Sequence, residues 1–275
     1  MRERYSARMP SPAAFEPNAP IGAHLREWRR RRRLSQLDFA LDAEISQKHL
    51  SFIESGRAAP SRQMVLRLAE VLEVPLRDRN RMLLAAGYAP VFSEKPLSDP
   101  EMRAAREAVE RLIRAHEPYP ALAVDRSWTM VSANGAVAPL LGLVADPALL
   151  EPPVNVLRLS LHPGGLAPAI ANLAEWRSHL LKRLARQVET SADPALSSLL
   201  AELSAYPAPP DAPPADEGSG RVLVPLQLRV GEGILSFIST TTVFGTPVDV
   251  TLSELAVEAF FPADEATAAA LRRSV

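Results

Sequence analysis

Two groups of residues in this chain have types and spacings that could do chemistry. When residues 46–55 are wound at about 100° per residue, Gln47, Lys48, Ser51, Phe52 and Ser55 share one arc, and Leu50, Ile53 and Glu54 share the other. The first arc offers an amide, an ammonium, two hydroxyls and an aromatic ring, a set suited to base edges and thymine methyls in a major groove. An amphipathic helix facing water has the same outline, so the decision rests on its flanks. The second group, Asn155, Arg158, His162, Asn172 and Trp176, is set in a stretch otherwise mostly leucine, alanine and proline. Arginine is rarely buried unless paired. In one reading Arg158 bonds a carbonyl or a carboxylate such as Glu175, Asn155 caps the next helix and Trp176 is core. In the other, Arg158 and His162 stand at one end of an apolar cavity and meet an anionic head group.

No third group suggests catalysis. His116, His162 and His179 have no metal-ligand spacing, and no Walker loop or Gly-x-Gly-x-x-Gly is present. Gly231-Glu232-Gly233 reads as a hairpin turn. Cysteine is absent, which removes disulfides, thiolate metal sites and cysteine nucleophiles. No catalytic residue, metal or cofactor is expected, and the chain is not expected to be an enzyme.

The elements that must position these residues follow from caps and periodicity. Ser35 and Ser46 are good N-caps for two short helices separated by Glu44, Ile45 and Ser46, the length of a helix-turn-helix turn. Gly56 supplies a left-handed C′ residue for the second. Ahead of them Ile21, Leu25 and Trp28 form the stripe of a first helix, which ends in Arg29-Arg30-Arg31-Arg32-Arg33. That run reads either as a solvated charge block or as a set of phosphate contacts. Arg29 is placed to pair with the inward-leaning Glu54. Pro60-Ser61 opens a fourth helix carrying Met64, Val65, Leu68, Ala69 and Leu72. A fifth, residues 76–86, closes at Gly87.

Residues 1–20 have four prolines and no periodicity and read as a disordered arm. Residues 91–100 read as a linker, and Asp99-Pro100 starts a helix with Met102, Ala105, Val109, Leu112 and Ile113. This helix is either a connector or a dimer seam. Beyond 117 the pattern predicts strands at 121–124 and 128–133, helical pieces at 136–141 and 156–161, a long helix from 167 to about 189, and another after Asp193-Pro194. Residues 206–220 are too polar and proline-rich to fold and read as a flexible loop. Strict alternation from Val222 to Val230, then residues 234–243 and 255–260, give three more strands, followed by a short helix after Asp264. The fold class expected is an all-α five-helix helix-turn-helix domain at 21–90. A connecting segment at 91–116 leads to an α+β PAS-like domain at 117–275, with an antiparallel sheet and inserted helices.

Charge is divided unevenly. Residues 21–90 hold 13 Lys/Arg against 8 Asp/Glu, and residues 91–275 hold 15 against 22. A basic head on an acidic body fits contact with a polyanion through the head alone. No apolar run approaches a membrane span, and the N-terminus does not read as a secretory signal. A cytoplasmic protein is expected.

The pattern Leu34-Ser35-Gln36, Phe39-Ala40, Ile45-Ser46, Ile53-Glu54-Ser55-Gly56-Arg57, Pro60-Ser61 resembles the XRE/Cro/C1 family of DNA-binding domains. The resemblance implies a DNA-backbone contact by Gln36, base reading by Gln47 and Lys48, a phosphate contact by Arg57 and an Arg29–Glu54 bridge. With the exposed arc and the helix starts, the expected DNA-binding set is Gln36, Ser46, Gln47, Lys48, Ser51, Phe52, Ser55, Arg57 and Arg62. The turn position often occupied by glycine in that family is Glu44 here, where a left-handed backbone costs about 1 kcal/mol.

Farther on, Pro118-Tyr119-Pro120-Ala121, Trp128, Asn134, Asn155-Val156-Leu157-Arg158, His162-Pro163, Asn172-Leu173 and Trp176 resemble the MmyB/MltR-type ligand-binding domain. Phe244-Gly245-Thr246-Pro247 and Phe260-Phe261-Pro262-Ala263-Asp264 extend the likeness. The resemblance implies a PAS-like fold and a fatty-acid-like ligand. Trp128, Asn134, Arg158, His162 and Trp176 are the expected ligand-binding set, with Arg158 and His162 chosen on physical grounds. The expectation is a DNA-binding transcription regulator that acts as a homodimer on double-stranded operator DNA and senses a small apolar ligand. The alternative is a ligand-free dimerisation module with a helical docking head.

Overall fold

A computed structural model describes residues 19–191, 193–208, 223–245 and 247–273. Nearly all of the expected arm, most of the 206–220 loop, Val222 and Thr246 lie outside the described residues.

Five helices make the head: α1 (Ile21–Arg31), α2 (Gln36–Asp42), α3 (Gln47–Glu54), α4 (Arg62–Val71) and α5 (Leu76–Ala85). Ser35, Ser46 and Ser61 cap α2, α3 and α4 by accepting the backbone N–H of Asp38, His49 and Met64. The helices converge on one core of fully buried side chains that includes Leu25, Trp28, Phe39, Leu50, Ile53 and Leu68.

All five helices end alike. In each, the C′ residue is left-handed and its N–H bonds one carbonyl, while the next residue's N–H reaches back to the third-last helical carbonyl, as in Leu34→Arg29 at 3.1 Å and Ile45→Ala40 at 2.9 Å. This is the Schellman arrangement. Glycine fills C′ after α3 and α5, but Arg33, Glu44 and Glu73 adopt φ of 56°, 52° and 48° after the other three. The strain anticipated at Glu44 is therefore present, and Glu44 also pairs with Arg67. The following residue is apolar and packed inward at Leu34, Ile45, Val74 and Tyr88, whereas after α3 it is the exposed Arg57.

Residues 91–100 are held at both ends. Asn80 of α5 donates to Phe92 O at 2.8 Å and accepts the N–H groups of Val91 and Phe92, and Val250 N–H donates to Ser93 O at 2.7 Å. Then α6 (Arg103–Arg114) lays Val109 and Ile113 on the C-terminal sheet, leaving Leu112 exposed.

That sheet contains β1 (Ala121–Val124), β2 (Met130–Ala133), β3 (Leu226–Val230), β4 (Gly233–Val243) and β5 (Ala256–Pro262), antiparallel in the order β2-β1-β5-β4-β3. Side-chain alternation splits it. Ala121, Ala123 and Val257 face α6, and Leu122, Val124, Phe237 and Phe260 face a helical layer. The layer comprises α7 (Ala138–Leu141), α8 (Val156–Leu161), α9 (Leu173–Ser191) and α10 (Pro194–Ala205). Two short C-terminal helices, α11 (Val250–Ser253) and α12 (Glu265–Arg273), complete the domain. The architecture is a helix-turn-helix head joined to a PAS-like α+β domain.

Several expected elements differ, and the strand expected from Val222 is seen only from Leu226. The strand expected from Trp128 starts at Met130, because Trp128 is left-handed at φ 65°. A short helix, α11, stands where none was expected. The long helix expected from Ala167 is broken, and Ile170 lies off it. Ile170 instead bridges Leu228 at the edge of β3, Ala171 N–H donates to Gln227 O at 2.8 Å, and Asn172 donates to Pro225 O at 2.8 Å. At the opposite edge Thr129 bridges Asn155. Each open edge of the sheet is thus engaged by a segment of the helical layer.

Candidate functional site

On α3 the inward arc is Leu50, Ile53 and Glu54, all buried, and Gln47, Lys48 and Ser55 are exposed. Ser51 and Phe52 are half-buried, and His49 is exposed. Phe52 lies between two cations, with the Arg57 guanidinium 4.5 Å and the Lys48 ammonium 5.7 Å from its ring centre. Arg57 Nε also donates to Ser55 Oγ at 2.9 Å. The ring thus gathers two positive charges beside the outward arc of α3. Ser46 Oγ is committed to the cap of α3, and Arg62 is exposed at the first position of α4.

Glu54, 5 % exposed, ties the head together. Its carboxylate accepts from Arg29 Nε at 2.7 Å, Arg29 Nη2 at 3.1 Å and Gln36 Nε2 at 3.0 Å. Its carbonyl accepts from Arg26 at 2.6 Å. A bidentate charged pair fixes both distance and orientation, so the end of α3 is locked to α1 and to the start of α2. Gln36, implied as a backbone-contact residue, therefore spends one amide N–H on Glu54. A Cβ on Gly22 would meet Glu54 O at 2.5 Å and Ile53 O at 2.6 Å, so only glycine lets α1 cross α3 this closely.

The arginine run meets neither of its expected descriptions in full. Arg29 holds Glu54. Arg32 donates to Leu72 O at 2.8 Å and Glu73 O at 2.9 Å, satisfying the end of α4, and Arg31 lies 3.0 Å from Glu27. Arg30 and Arg33 are exposed.

In the C-terminal domain a cavity of about 90 Å³ lies between the inner sheet face and α7, α8 and α9. Its walls include Leu122, Met130, Leu140, Leu157, Leu180, Leu228 and Phe237, and only Ser160, Arg183 and Glu258 bring polar side chains to it. Of the five expected ligand-binding residues, Trp128 and Trp176 line it. Trp176 Nε1 donates to Ser160 Oγ at 3.0 Å, and Trp128 Nε1 to Gln187 Oε1 at 2.8 Å.

The other three expected ligand residues are not among its lining. Asn134 is a buried staple: it donates to Ile113 O and Tyr119 O at 3.0 and 2.8 Å and accepts Ala121 N–H at 3.1 Å. Arg158 is exposed and forms a bidentate pair with Glu202 at 2.7 and 2.8 Å. The carboxylate reading was right in kind but named Glu175. His162 Nδ1 accepts Gly164 N–H at 3.0 Å, and its ring meets Tyr206 edge-on.

The cation that does line the cavity is Arg183, which was missed. It donates to Glu258 at 2.6 and 3.1 Å and to Thr241 Oγ1 at 2.7 Å, and its guanidinium lies 4.5 Å from the Trp128 ring centre. Glu258 is only 4 % exposed. His179 stacks on Trp176, and burial, helped by Arg183 and Arg186, lowers its pKa below the usual imidazole value.

Trp128 and Arg183 also line a second, more polar cleft of about 420 Å³ between the head and the C-terminal domain. Across it Arg77 of α5 makes a bidentate pair with Glu254 at 2.8 and 2.9 Å and also pairs with Glu94. Hydrogen bonding to Glu254 raises its pKa. Arg126 lies 3.7 Å from Glu254 and 2.7 Å from Asp193, and its carbonyl accepts from Gln187 at 3.1 Å.

The chain matches two family models. One, a helix-turn-helix domain, matches residues 20–82, and the other, an MmyB-like transcription regulator ligand binding domain, matches residues 105–273. The chain is also similar to an uncharacterized HTH-type transcriptional regulator, RghRB, of Bacillus subtilis (strain 168), at 33% identity over 100 residues. That match covers 36% of this chain and 66% of the relative.

Proposed function

We propose that this chain, which belongs to the MmyB-like transcription regulators, reads operator DNA with the exposed arc of α3 under the control of a small molecule in its C-terminal cavity. The carrying observation is that α3 has a capped start, a charge-locked end and an outward face of Gln47, Lys48, Phe52 and Arg57. A recognition helix needs that rigidity, because base contacts specify only when phosphate contacts fix the register. Gln47 and Lys48, at the first turn, face bases, and Arg57 and Arg62 meet phosphates. Two protomers would set two such helices in successive major grooves, about 34 Å apart. Such work places the protein in the cytoplasm, and no described helix is long and apolar enough to cross a membrane.

The ligand is apolar. A fatty-acid-like chain, as the family resemblance implies, is larger than this cavity of about 90 Å³; ligand pockets usually measure roughly 300–1,000 Å³. Binding a long chain therefore requires α8 and α9 to move away from the sheet. The route from cavity to head runs through Trp128, Gln187, Arg126, Glu254 and Arg77. A ligand biases the head only by binding one arrangement of that route better than another.

Gel shifts with the protein's own upstream region test the reading. Gln47→Ala should change base preference at one position, and Arg57→Ala should weaken all sequences and reduce the salt slope by about one ion. If full-length protein binds no promoter-sized fragment, the DNA reading fails.

A further inference from the structure

Arg183 makes the cavity look ready for an anion, but its charge is already neutralised by Glu258. We propose that this pair makes the cavity selective for small uncharged molecules, and that Glu258 is the residue that turns carboxylates away. The inference rests on the cavity being the ligand site and names the ligand class.

Glu258 is buried, lines the cavity, and accepts from Arg183 twice and from Thr241 Oγ1 at 2.9 Å. Strand register fixes this grouping, because Thr241 and Glu258 are direct cross-strand partners. A ligand carboxylate seeking Arg183 would bring a second anion against a buried one, and a shared site disfavours two ionised carboxylates. If the ligand drew Arg183 away, Glu258 would remain buried without its cation, which is the costly way to break a buried pair. An alcohol or amide meets neither penalty, and the Ser160 hydroxyl and Glu258 carboxylate offer it hydrogen-bond partners. The cavity's size also favours a molecule of few heavy atoms.

The test compares 1-hexanol with hexanoate on the full chain at neutral pH, by calorimetry and by tryptophan fluorescence, since Trp128 and Trp176 both line the cavity. Hexanol should bind at least roughly tenfold more tightly. Glu258→Gln should reduce that preference by a similar factor. The wild-type chain gives the same information if that variant fails to fold: hexanoate should approach hexanol as falling pH protonates the probe. Hexanoate binding as tightly as hexanol at neutral pH would overturn the charge rule and leave the cavity reading standing. If neither probe binds, the cavity reading falls and the inference goes with it.

Discussion

Each domain holds a carboxylate about 5 % exposed or less on an arginine, Glu54 in the head and Glu258 in the C-terminal domain, and the two pairs work in opposite ways. In the head, Glu54 sits among side chains packed to zero exposure and ties three segments into one shape. In the C-terminal domain, Glu258 borders an empty space, and its arginine is 29 % exposed and shared with the cleft beside the head. The first arrangement fixes a geometry, which a helix that reads bases needs. The second leaves room for a geometry to change, which a sensor needs.

Removing each carboxylate should separate these roles most clearly. Glu54→Ala strands Arg29, whose side chain is 14 % exposed, and should cost about 3–5 kcal/mol in urea unfolding. Glu258→Ala should cost less, about 1–3 kcal/mol, because Arg183 can turn toward the cleft. Equal losses would erase the distinction.

Size changes come next. Leu68→Phe enlarges a filled core and should cost about 1–3 kcal/mol. Leu157→Phe points into the cavity, so its stability change should be within about 1 kcal/mol of zero while hexanol binding is lost. A large penalty at Leu157 would mean that the space is not available.

Smaller still is the turn. Glu44→Gly removes left-handed strain at φ 52° and should raise head stability by about 1 kcal/mol, since the exposed pair with Arg67 contributes little. A lowered melting temperature would sink this account.

The smallest effect is on pH. Burial is the main cause of the lowered pKa of both His24, in the head, and His179, beside the cavity. The unfolded chain takes up protons near the ordinary imidazole pKa while the folded chain resists. The stabilisation is therefore present above that pKa and lost as pH falls toward the folded values. His179→Gln should flatten the urea-midpoint slope below pH 6.5; an unchanged slope would rule out its contribution.

Much of the head could be read from its residues because its signals are local. Ser35, Ser46 and Ser61 are caps whose partners lie three residues ahead. Arg29 and Glu54 are separated by 25 positions but project from helices whose inward faces are plain. The cavity was harder. Arg158 stood out because its neighbours are apolar, yet Glu202 takes it to the surface. Arg183 looked like any other basic residue on a long helix, and only Glu258, 75 positions away, selects it. One usable signal was overlooked: Glu258 shares strand parity with Ala256 and Phe260, so it lies on the inward side of β5. The break at Ile170 also had its markers, since Pro168 and Asn172 both favour leaving a helix.

The shared helix ending in the head has an evolutionary consequence. Four of the five post-helix positions are occupied by apolar anchors, so substitution there is constrained by folding. Arg57 occupies the fifth and faces outward, which frees that position from the fold. A lineage could retune the strength of its grip on DNA at this residue, from arginine to lysine to a neutral side chain, while the recognition helix stays where it is.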